Sequence, residues 1–192
     1  MTAGVIALMV LAVVAGWTFL RWQYPLLYED VIRHHAAELG LDPMLVAAVI
    51  RVESRFRPDA VSPKGALGLM QVMPDTGRWI ASQFEMDDFS PEMLLDPFLN
   101  IRFGTWYLAH LQEEFRGDTV MALAAYNGGR SRVREWARAA DWIPGEGRVD
   151  GEATSFPLGL IPQGETRDFV IRVVRDHSLY RHLYRWWGDR AS

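Results

Sequence analysis

Cysteine is absent from the 192 residues of this sequence, which excludes disulfides, thiolate metal sites and a cysteine nucleophile. Lysine is nearly absent as well: Lys64 is the only one, and the many arginines are interleaved with acidic residues. The formal net charge of −4 argues against a nucleic-acid partner, because such partners favour basic domains. With 49% apolar residues, the chain is expected to fold around a sizeable core.

Charge is also missing from residues 2–20, which are mostly Val, Ala, Leu, Ile and Met. As a helix this stretch would be about 28 Å long, close to the ~30 Å thickness of the hydrocarbon layer of a membrane. Trp17, Trp22 and Tyr24 lie at its far end, as in the aromatic belt of a membrane protein. We therefore predict a membrane anchor in residues 1–22 and one folded domain in residues 23–192.

A cleaved signal peptide is the alternative for the same segment. It is less favoured because no Lys or Arg precedes the apolar run and Val13-Val14-Ala15 is a poor cleavage site. A buried helix of a soluble core is the third option, and the lack of a polar face disfavours it. Arg21 follows the span, so the positive-inside rule taken literally would place the domain in the cytoplasm, although that rule weakens for long translocated segments.

A hydrophobic helix is predicted to begin at Asp42, a natural N-cap, with Pro43 in its first turn. Its apolar positions, spaced by three and four residues, fall on one face together with a carboxylate. That face carries Val46, Val49, Ile50 and Glu53. Arg51 and Arg55 fall on a different face, which is expected to meet solvent.

Glu53 is the first candidate for chemistry. Burial disfavours the charged form of a carboxyl group and raises its pKa, and the negative end of the helix dipole acts in the same direction. A glutamate in this position can keep its proton near neutral pH and serve as a general acid. The alternative is a glutamate that only ends the helix and turns to water.

Further helices are predicted after Glu53. Asp96 begins the longest helix, which ends near Phe115 and lies at the centre of the domain, with a close helix crossing at Gly104. Asp118 caps a helix that carries Tyr126 and Asn127 at its end.

The last helix begins at Glu165. Its expected buried face is made of Phe169, Val170, Val173, Val174 and His177. The pair His34-His35 lies on an early helix, where adjacent side chains diverge, so a solvated surface is expected there rather than a metal site.

Four short blocks give this sequence its clearest pattern. They are Glu53-Ser54, Ser62 with Gly68-Leu69-Met70-Gln71-Val72-Met73-Pro74, Ala125-Tyr126-Asn127, and Glu165-Thr166-Arg167. In this order the blocks resemble those of the soluble-lytic family of lytic transglycosylases, relatives of goose-type lysozyme. The resemblance implies a lysozyme-like helical domain. With the transmembrane helix predicted from the apolar run before it, the expected fold class is all-α.

The resemblance also implies a substrate and a set of roles. The substrate is the glycan strand of peptidoglycan, reached on the cell-wall side of the membrane, and neither a cofactor nor a metal is implied. Glu53 would be the catalytic residue, with Ser54 and Gly68 as structural neighbours. The substrate-binding residues would be Ser62, Gln71, Met73, Tyr126, Asn127 and Glu165. Phe169 departs from the family, which often has a tyrosine there, and this puts one substrate contact in doubt.

The implied reaction cuts the β-1,4 bond after N-acetylmuramic acid. Glu53 would protonate the bridging oxygen and then take the proton of the sugar's own C6 hydroxyl, which closes a 1,6-anhydro ring. Ordinary glycosidases use a second carboxylate, and the four blocks supply no obvious one near Glu53. Two alternatives stay open: a goose-type lysozyme that uses water, and a non-catalytic protein of cell-wall assembly that only binds glycan.

Overall fold

The computed structural model describes residues 2–144, 148–149, 152–153 and 155–185. Within these residues the fold has eight α-helices and one antiparallel pair of two-residue strands. In chain order they are α1 Thr2–Gln23, α2 Glu29–Glu38, α3 Pro43–Ser54, α4 Pro74–Gln83, α5 Pro97–Glu114, α6 Thr119–Gly128, α7 Arg130–Ala139, β1 Arg148–Val149, β2 Glu152–Ala153 and α8 Glu165–Leu183. Arg148 pairs with Ala153 and Val149 with Glu152. The predicted all-α class is confirmed.

Helix α1 is long and apolar enough over Gly4–Gln23 to cross a membrane, judged by length and composition. The most apolar part of this segment is not buried against the other described residues. The interpretation of α1 as a buried helix of a soluble core is therefore wrong. The same test does not separate an anchor from a signal sequence, so the boundary between residues 1–22 and 23–192 stays a prediction.

Helices α3 and α8 pack along one another in the core. Val46, Val49 and Ile50 are fully buried, as the spacing predicted. Phe169, Val170 and Val173 on α8 are buried too, but Val174 is 41% exposed. The prediction for Val174 was wrong because the buried face of α8 continues from Val173 through Asp176 and Tyr180. At about 100° per residue, Val174 lies beyond the edge of that face.

Helix α5 lies at the centre, as predicted: Ile101, Leu108 and Leu111 are fully buried. At 18 residues it is shorter than α1 and α8, so its prediction as the longest helix is wrong. The predicted helix crossing at Gly104 is also wrong. A Cβ at Gly104 would come within 2.5 Å of Met70 Sδ, so the close approach is to a side chain of the loop before α4.

The predicted N-caps are confirmed. Asp42 Oδ1 accepts a hydrogen bond from the Met44 amide at 2.8 Å, and Asp118 Oδ1 accepts one from the Met121 amide at 3.1 Å. Asp118 Oδ2 also accepts from the Phe156 amide at 2.7 Å. The cap of α6 therefore fixes the return of the chain toward α8.

The long connection between α7 and α8 contains β1, β2 and a 3-10 turn at Leu158–Leu160. Residues 145–147, 150–151 and 154 of that connection lie outside the described residues. So do residues 186–192 of the predicted domain.

Candidate active site

Glu53 lies in the last turn of α3 and is partly buried. No described residue forms a hydrogen bond or ion pair with its carboxyl group. Burial is the main reason that the pKa of Glu53 rises to about 8, with a smaller opposing effect from Arg172 and a further rise from the charge of Glu165. This partial burial favours the interpretation of Glu53 as a general acid, which stays a prediction.

The backbone turns immediately after Glu53. The buried Ser54 donates from Oγ to the Ile50 carbonyl at 3.1 Å. Arg55 then adopts a left-handed conformation, with φ of 54°, and ends the helix. Because the Ser54 hydroxyl hydrogen is used within its own helix, it is not donated to the carboxyl group of Glu53. Ser54 holds the last turn in place.

The loop between α3 and α4 is held by one buried amide. Asn100 on α5 accepts from the Met70 amide at 2.7 Å and donates to the carbonyls of Leu67 at 2.9 Å and Leu94 at 2.7 Å. Gly68 has a φ of +76°, and a Cβ there would collide with the Asn100 amide. Only glycine combines that conformation with such a close approach, so Gly68 is required to seat the loop.

Gln71 is positioned by the same loop. Its Nε2 donates to the carbonyls of Ala60 at 3.0 Å and Gly68 at 2.8 Å. Both amide hydrogens are thus engaged, and Oε1 is left as a hydrogen-bond acceptor. Gln71 can accept from the N–H of a sugar acetamide, but it has no hydrogen left for the acetamide oxygen.

Tyr126, near the end of α6, connects the loop to α8. Its hydroxyl donates to the Met70 carbonyl at 2.8 Å, and its ring stacks on Phe169 with centroids 6.5 Å apart. Burial and then the charge of Glu53 raise the pKa of Tyr126. Tyr126 is therefore neutral, and it lies close enough to Glu53 to be affected by the charge of that group once it is ionised.

Four of the six predicted substrate-binding residues meet in one cleft. Gln71, Met73, Tyr126 and Asn127 all line it. Asn127 also lines an adjoining cavity, where the other lining residues include Lys64, Arg132, Trp136, Glu165 and Thr166. Asn127 Oδ1 accepts from Thr166 Oγ at 3.0 Å, so the end of α6 and the start of α8 are joined between the two openings.

Two predicted site residues lie differently. Ser62 lines neither of these cavities, and its Oγ accepts a hydrogen bond from the Ala66 amide at 2.9 Å within a turn. Glu165 is exposed and pairs with Lys64 at 2.6 Å. Glu165 thus lines the adjoining cavity, and its charge raises the pKa of Glu53 without direct contact.

Sequence reasoning missed Tyr107 and Thr76, which also line the cleft. The ring of Tyr107, on the central helix α5, packs 5.5 Å from that of Tyr126. A tyrosine on a central helix gives no periodicity signal that separates a core position from a cleft wall. Only the arrangement of α4, α5 and α6 around it does so.

The expected divergence of His34 and His35 was wrong. Their rings lie 4.9 Å apart, and both reach Glu38 one turn later, at 3.5 Å and 3.0 Å. Adjacent helical side chains therefore can converge. His34 and Glu38 are exposed, as the predicted solvated surface requires.

Comparison with known proteins places the chain in a family. Residues 30–146 match the family described as Transglycosylase SLT domain, and the chain belongs to that family.

Three relatives show the extent of the similarity. The chain is 36% identical to the soluble lytic murein transglycosylase of Escherichia coli K12 over 96% of its length, but covers 27% of that protein. It is 39% identical to membrane-bound lytic murein transglycosylase C of Edwardsiella ictaluri, covering 81% of this chain and 47% of the relative.

The third relative is a solved structure, the lytic transglycosylase Slt of Pseudomonas aeruginosa, an inactive mutant in which a glutamate is replaced by glutamine. It superposes with a TM-score of 0.72 at 32% identity, covering 85% of this chain and 25% of that one. The predicted lysozyme-like fold is thereby confirmed. The chain spans about a quarter of the length of the soluble relatives and just under half of the membrane-bound one.

Proposed function

We propose that this chain is a peptidoglycan lytic transglycosylase that cuts the β-1,4 bond between N-acetylmuramic acid and N-acetylglucosamine. The observation that carries the proposal is the half-buried Glu53, which has no hydrogen-bond or ion-pair partner among the described residues and whose charge reaches Tyr126 in a cleft lined also by Gln71 and Asn127. Burial raises the pKa of Glu53 to about 8. Membership of the SLT family supports the proposal. So does the inactivity of the Pseudomonas relative in which a glutamate became glutamine.

In the first step Glu53 donates its proton to the glycosidic oxygen as that bond breaks. A pKa of about 8 keeps the carboxyl group protonated at neutral pH, as a general acid requires. The resulting carboxylate then takes the proton of the C6 hydroxyl, whose oxygen bonds to the anomeric carbon. Glu53 returns to its acid form, and the product ends in a 1,6-anhydro ring.

The surroundings of Glu53 support ring closure over attack by water. Retaining and inverting glycosidases place a second carboxylate across the bond, as nucleophile or as base for water. Glu165, whose charge raises the pKa of Glu53, is exposed and paired with Lys64 at 2.6 Å. This arrangement does not favour Glu165 as the second carboxylate of a hydrolase.

The cleft supplies the groups that hold the sugar. Gln71 Oε1 would accept from an acetamide N–H, and Tyr126 would present its ring face. Met73, 42% exposed, would cover an apolar sugar face, and Asn127 would bond to hydroxyl or acetamide groups. Ser62 and Glu165 would act at the rim.

We further propose that α1 anchors the chain in a membrane, with residues 23–192 on the cell-wall side, where peptidoglycan lies. The apolar Gly4–Gln23 segment and the likeness to a membrane-bound relative support anchoring. Secretion after cleavage of the segment is the alternative. Accessibility of the domain to protease added outside spheroplasts tests the side, and protection of the domain would contradict the proposed one.

Mass analysis of products tests the reaction. Purified protein is incubated with peptidoglycan sacculi, and released muropeptides should be lighter by one water than the corresponding hydrolysis products. Reducing ends alone would identify a lysozyme-type hydrolase. Glycan binding without released fragments would identify a non-catalytic wall protein.

A further inference from the structure

A cavity lies where α1 ends, away from the groups assigned to catalysis. It is lined by Trp22, Gln23 and Pro25 at the end of α1, and by Arg51, Arg55 and Arg175 on α3 and α8. Three guanidinium groups thus surround one opening of a chain whose net charge is −4. The proposed reaction uses none of them.

The cavity is fixed to the end of α1 by several contacts. Arg51 donates from Nε to the Gln23 carbonyl at 3.3 Å, and its guanidinium lies 3.7 Å from the centroid of the Tyr24 ring. Tyr180 donates to the Pro25 carbonyl and Tyr184 to the Tyr24 carbonyl, each at 2.8 Å. The domain is thus held against residues 23–25, without a flexible tether between them.

The end of α1 sets the depth of the cavity in a membrane. The apolar segment Gly4–Gln23 has 20 residues, about 30 Å as a helix, so Gln23 would lie where hydrocarbon gives way to headgroups. Trp22 is 73% exposed, and tryptophan is enriched at that level of the bilayer. The three arginines would therefore lie among the lipid headgroups.

The charge of the cavity is positive. No acidic residue is among the described residues that line it, and the fully buried Asp176 is bonded to Arg51 at 2.6 Å and to Arg175 at 2.9 Å. Arg55 is exposed and has no ion-pair partner among the residues with described side chains. Arg51, Arg55 and Arg175 together with the carboxylate of Asp176 carry two net positive charges. The side chain of Arg175 is 59% exposed.

We propose that this cavity binds the phosphate of an anionic lipid headgroup in the leaflet where α1 ends. Guanidinium groups bind phosphate through paired hydrogen bonds, and arginines at a membrane surface attract anionic lipids. Asp176 holds Arg51 and Arg175 in place, while Arg55 is free to turn toward the ligand. The inference rests on the proposed membrane placement of α1 and is independent of the proposed reaction.

The test uses the full chain in nanodiscs of phosphatidylcholine and phosphatidylglycerol in equal amounts, with retained lipids counted by native mass spectrometry. The wild type should retain phosphatidylglycerol preferentially. Arg55→Gln should lower that preference about fivefold, and Arg55→Gln with Arg175→Gln about thirtyfold, as expected for roughly one kcal/mol per arginine at a charged surface.

The matched control is Arg78→Gln with Arg138→Gln, which removes the same charge from exposed positions outside the cavity. Its lipid preference should equal that of the wild type. An equal loss in this control, or an unchanged preference in Arg55→Gln, would overturn the proposed site.

Two further outcomes bear on the nature of the ligand and on the membrane placement of α1. Displacement of the lipid by millimolar inorganic phosphate would show a site for free phosphate and overturn the lipid assignment. Failure of the chain to enter nanodiscs would overturn the membrane placement and this site together, while glycan cleavage by the same protein would still support the proposed reaction.

Discussion

The two ends of α3 carry two carboxyl groups in opposite states. Asp42, before the first turn, is bonded to the Met44 amide at 2.8 Å and to His177 at 2.8 Å. These partners, His177 first, hold the pKa of Asp42 below its usual value. Glu53, in the last turn, has no such partner among the described residues, and burial raises its pKa to about 8.

Helix geometry explains much of this difference. The first turn of a helix presents unpaired N–H groups and a partial positive charge, so a carboxylate there is stabilised. The last turn presents unpaired carbonyls and a partial negative charge, which do not stabilise a carboxylate. Asp42 is thereby held in its charged form, whereas Glu53 is held in the protonated form that the proposed reaction requires.

The largest expected effect is on activity at Glu53. Glu53→Gln should lower glycan cleavage by at least about 100-fold, the lower end of what general acid–base catalysis contributes. Release of soluble muropeptides measures it. Glu135→Gln, the same change at an exposed position of α7, should keep full activity; cleavage by the Glu53 variant at the wild-type rate would reject the assignment.

A second effect concerns stability against pH. Folded Glu53 binds its proton up to about pH 8, whereas an unfolded glutamate releases it near pH 4.3. The folded state holds more protons between these values, so this group makes the free energy of unfolding fall as pH rises, by at most about 1.4 kcal/mol per pH unit.

Glu53→Gln removes that dependence. Relative to the wild type, the variant should therefore be more stable at pH 8.5 than at pH 5, as measured by urea unfolding. Equal stability differences at both pH values would mean that Glu53 titrates normally.

The contribution of Asp42 to the free energy of unfolding should change with pH in the opposite direction. Its contribution to stability is present above the unfolded pKa near 3.9 and is lost as pH falls through the lowered pKa of the folded state. Asp42→Ala should lower the free energy of unfolding at pH 7 by about 1 kcal/mol, as loss of an N-cap does.

Asp42→Asn keeps a capping oxygen and should lose less than Asp42→Ala. Both variants should keep the pH dependence of cleavage, because Asp42 lies at the far end of α3 from Glu53. A shift of that dependence in either variant would show that the two ends are coupled.

The smallest effect is a shift in the pH dependence of activity. Cleavage should decline above about pH 8 as Glu53 loses its proton. Because the charge of Glu165 raises this pKa and that of Arg172 lowers it, Glu165→Gln should move the decline to lower pH and Arg172→Gln to higher pH. Profiles of kcat/KM against pH measure both; shifts in the same direction would contradict the assignment.

The main features of α3 could be predicted from the sequence. Asp42 as a cap, the buried stripe from Val46 to Ile50, and Glu53 at its end all follow from local chemistry and helical spacing. The sequence did not predict that Arg51, expected in solvent, lies over Tyr24 and pairs with the buried Asp176. That pairing joins residues 125 positions apart, and no local pattern encodes it.

The candidate site was predictable to the same degree. The sequence blocks identified Gln71, Tyr126 and Asn127 as site residues. They did not show which atoms of these side chains already form hydrogen bonds within the protein. Tyr126 donates to the Met70 carbonyl and Gln71 to two others, and these bonds decide what each can offer a sugar. They depend on the loop held by Asn100, whose role the sequence does not show.

Direct titration of Glu53 tests the central claim. Protein labelled with ¹³C at glutamate side-chain carboxyls is followed by NMR from pH 4 to 10, and the Glu53 signal is assigned by its loss in Glu53→Gln. A midpoint near pH 8 is predicted. A midpoint near 4.5, the ordinary value of a glutamate, would contradict the account.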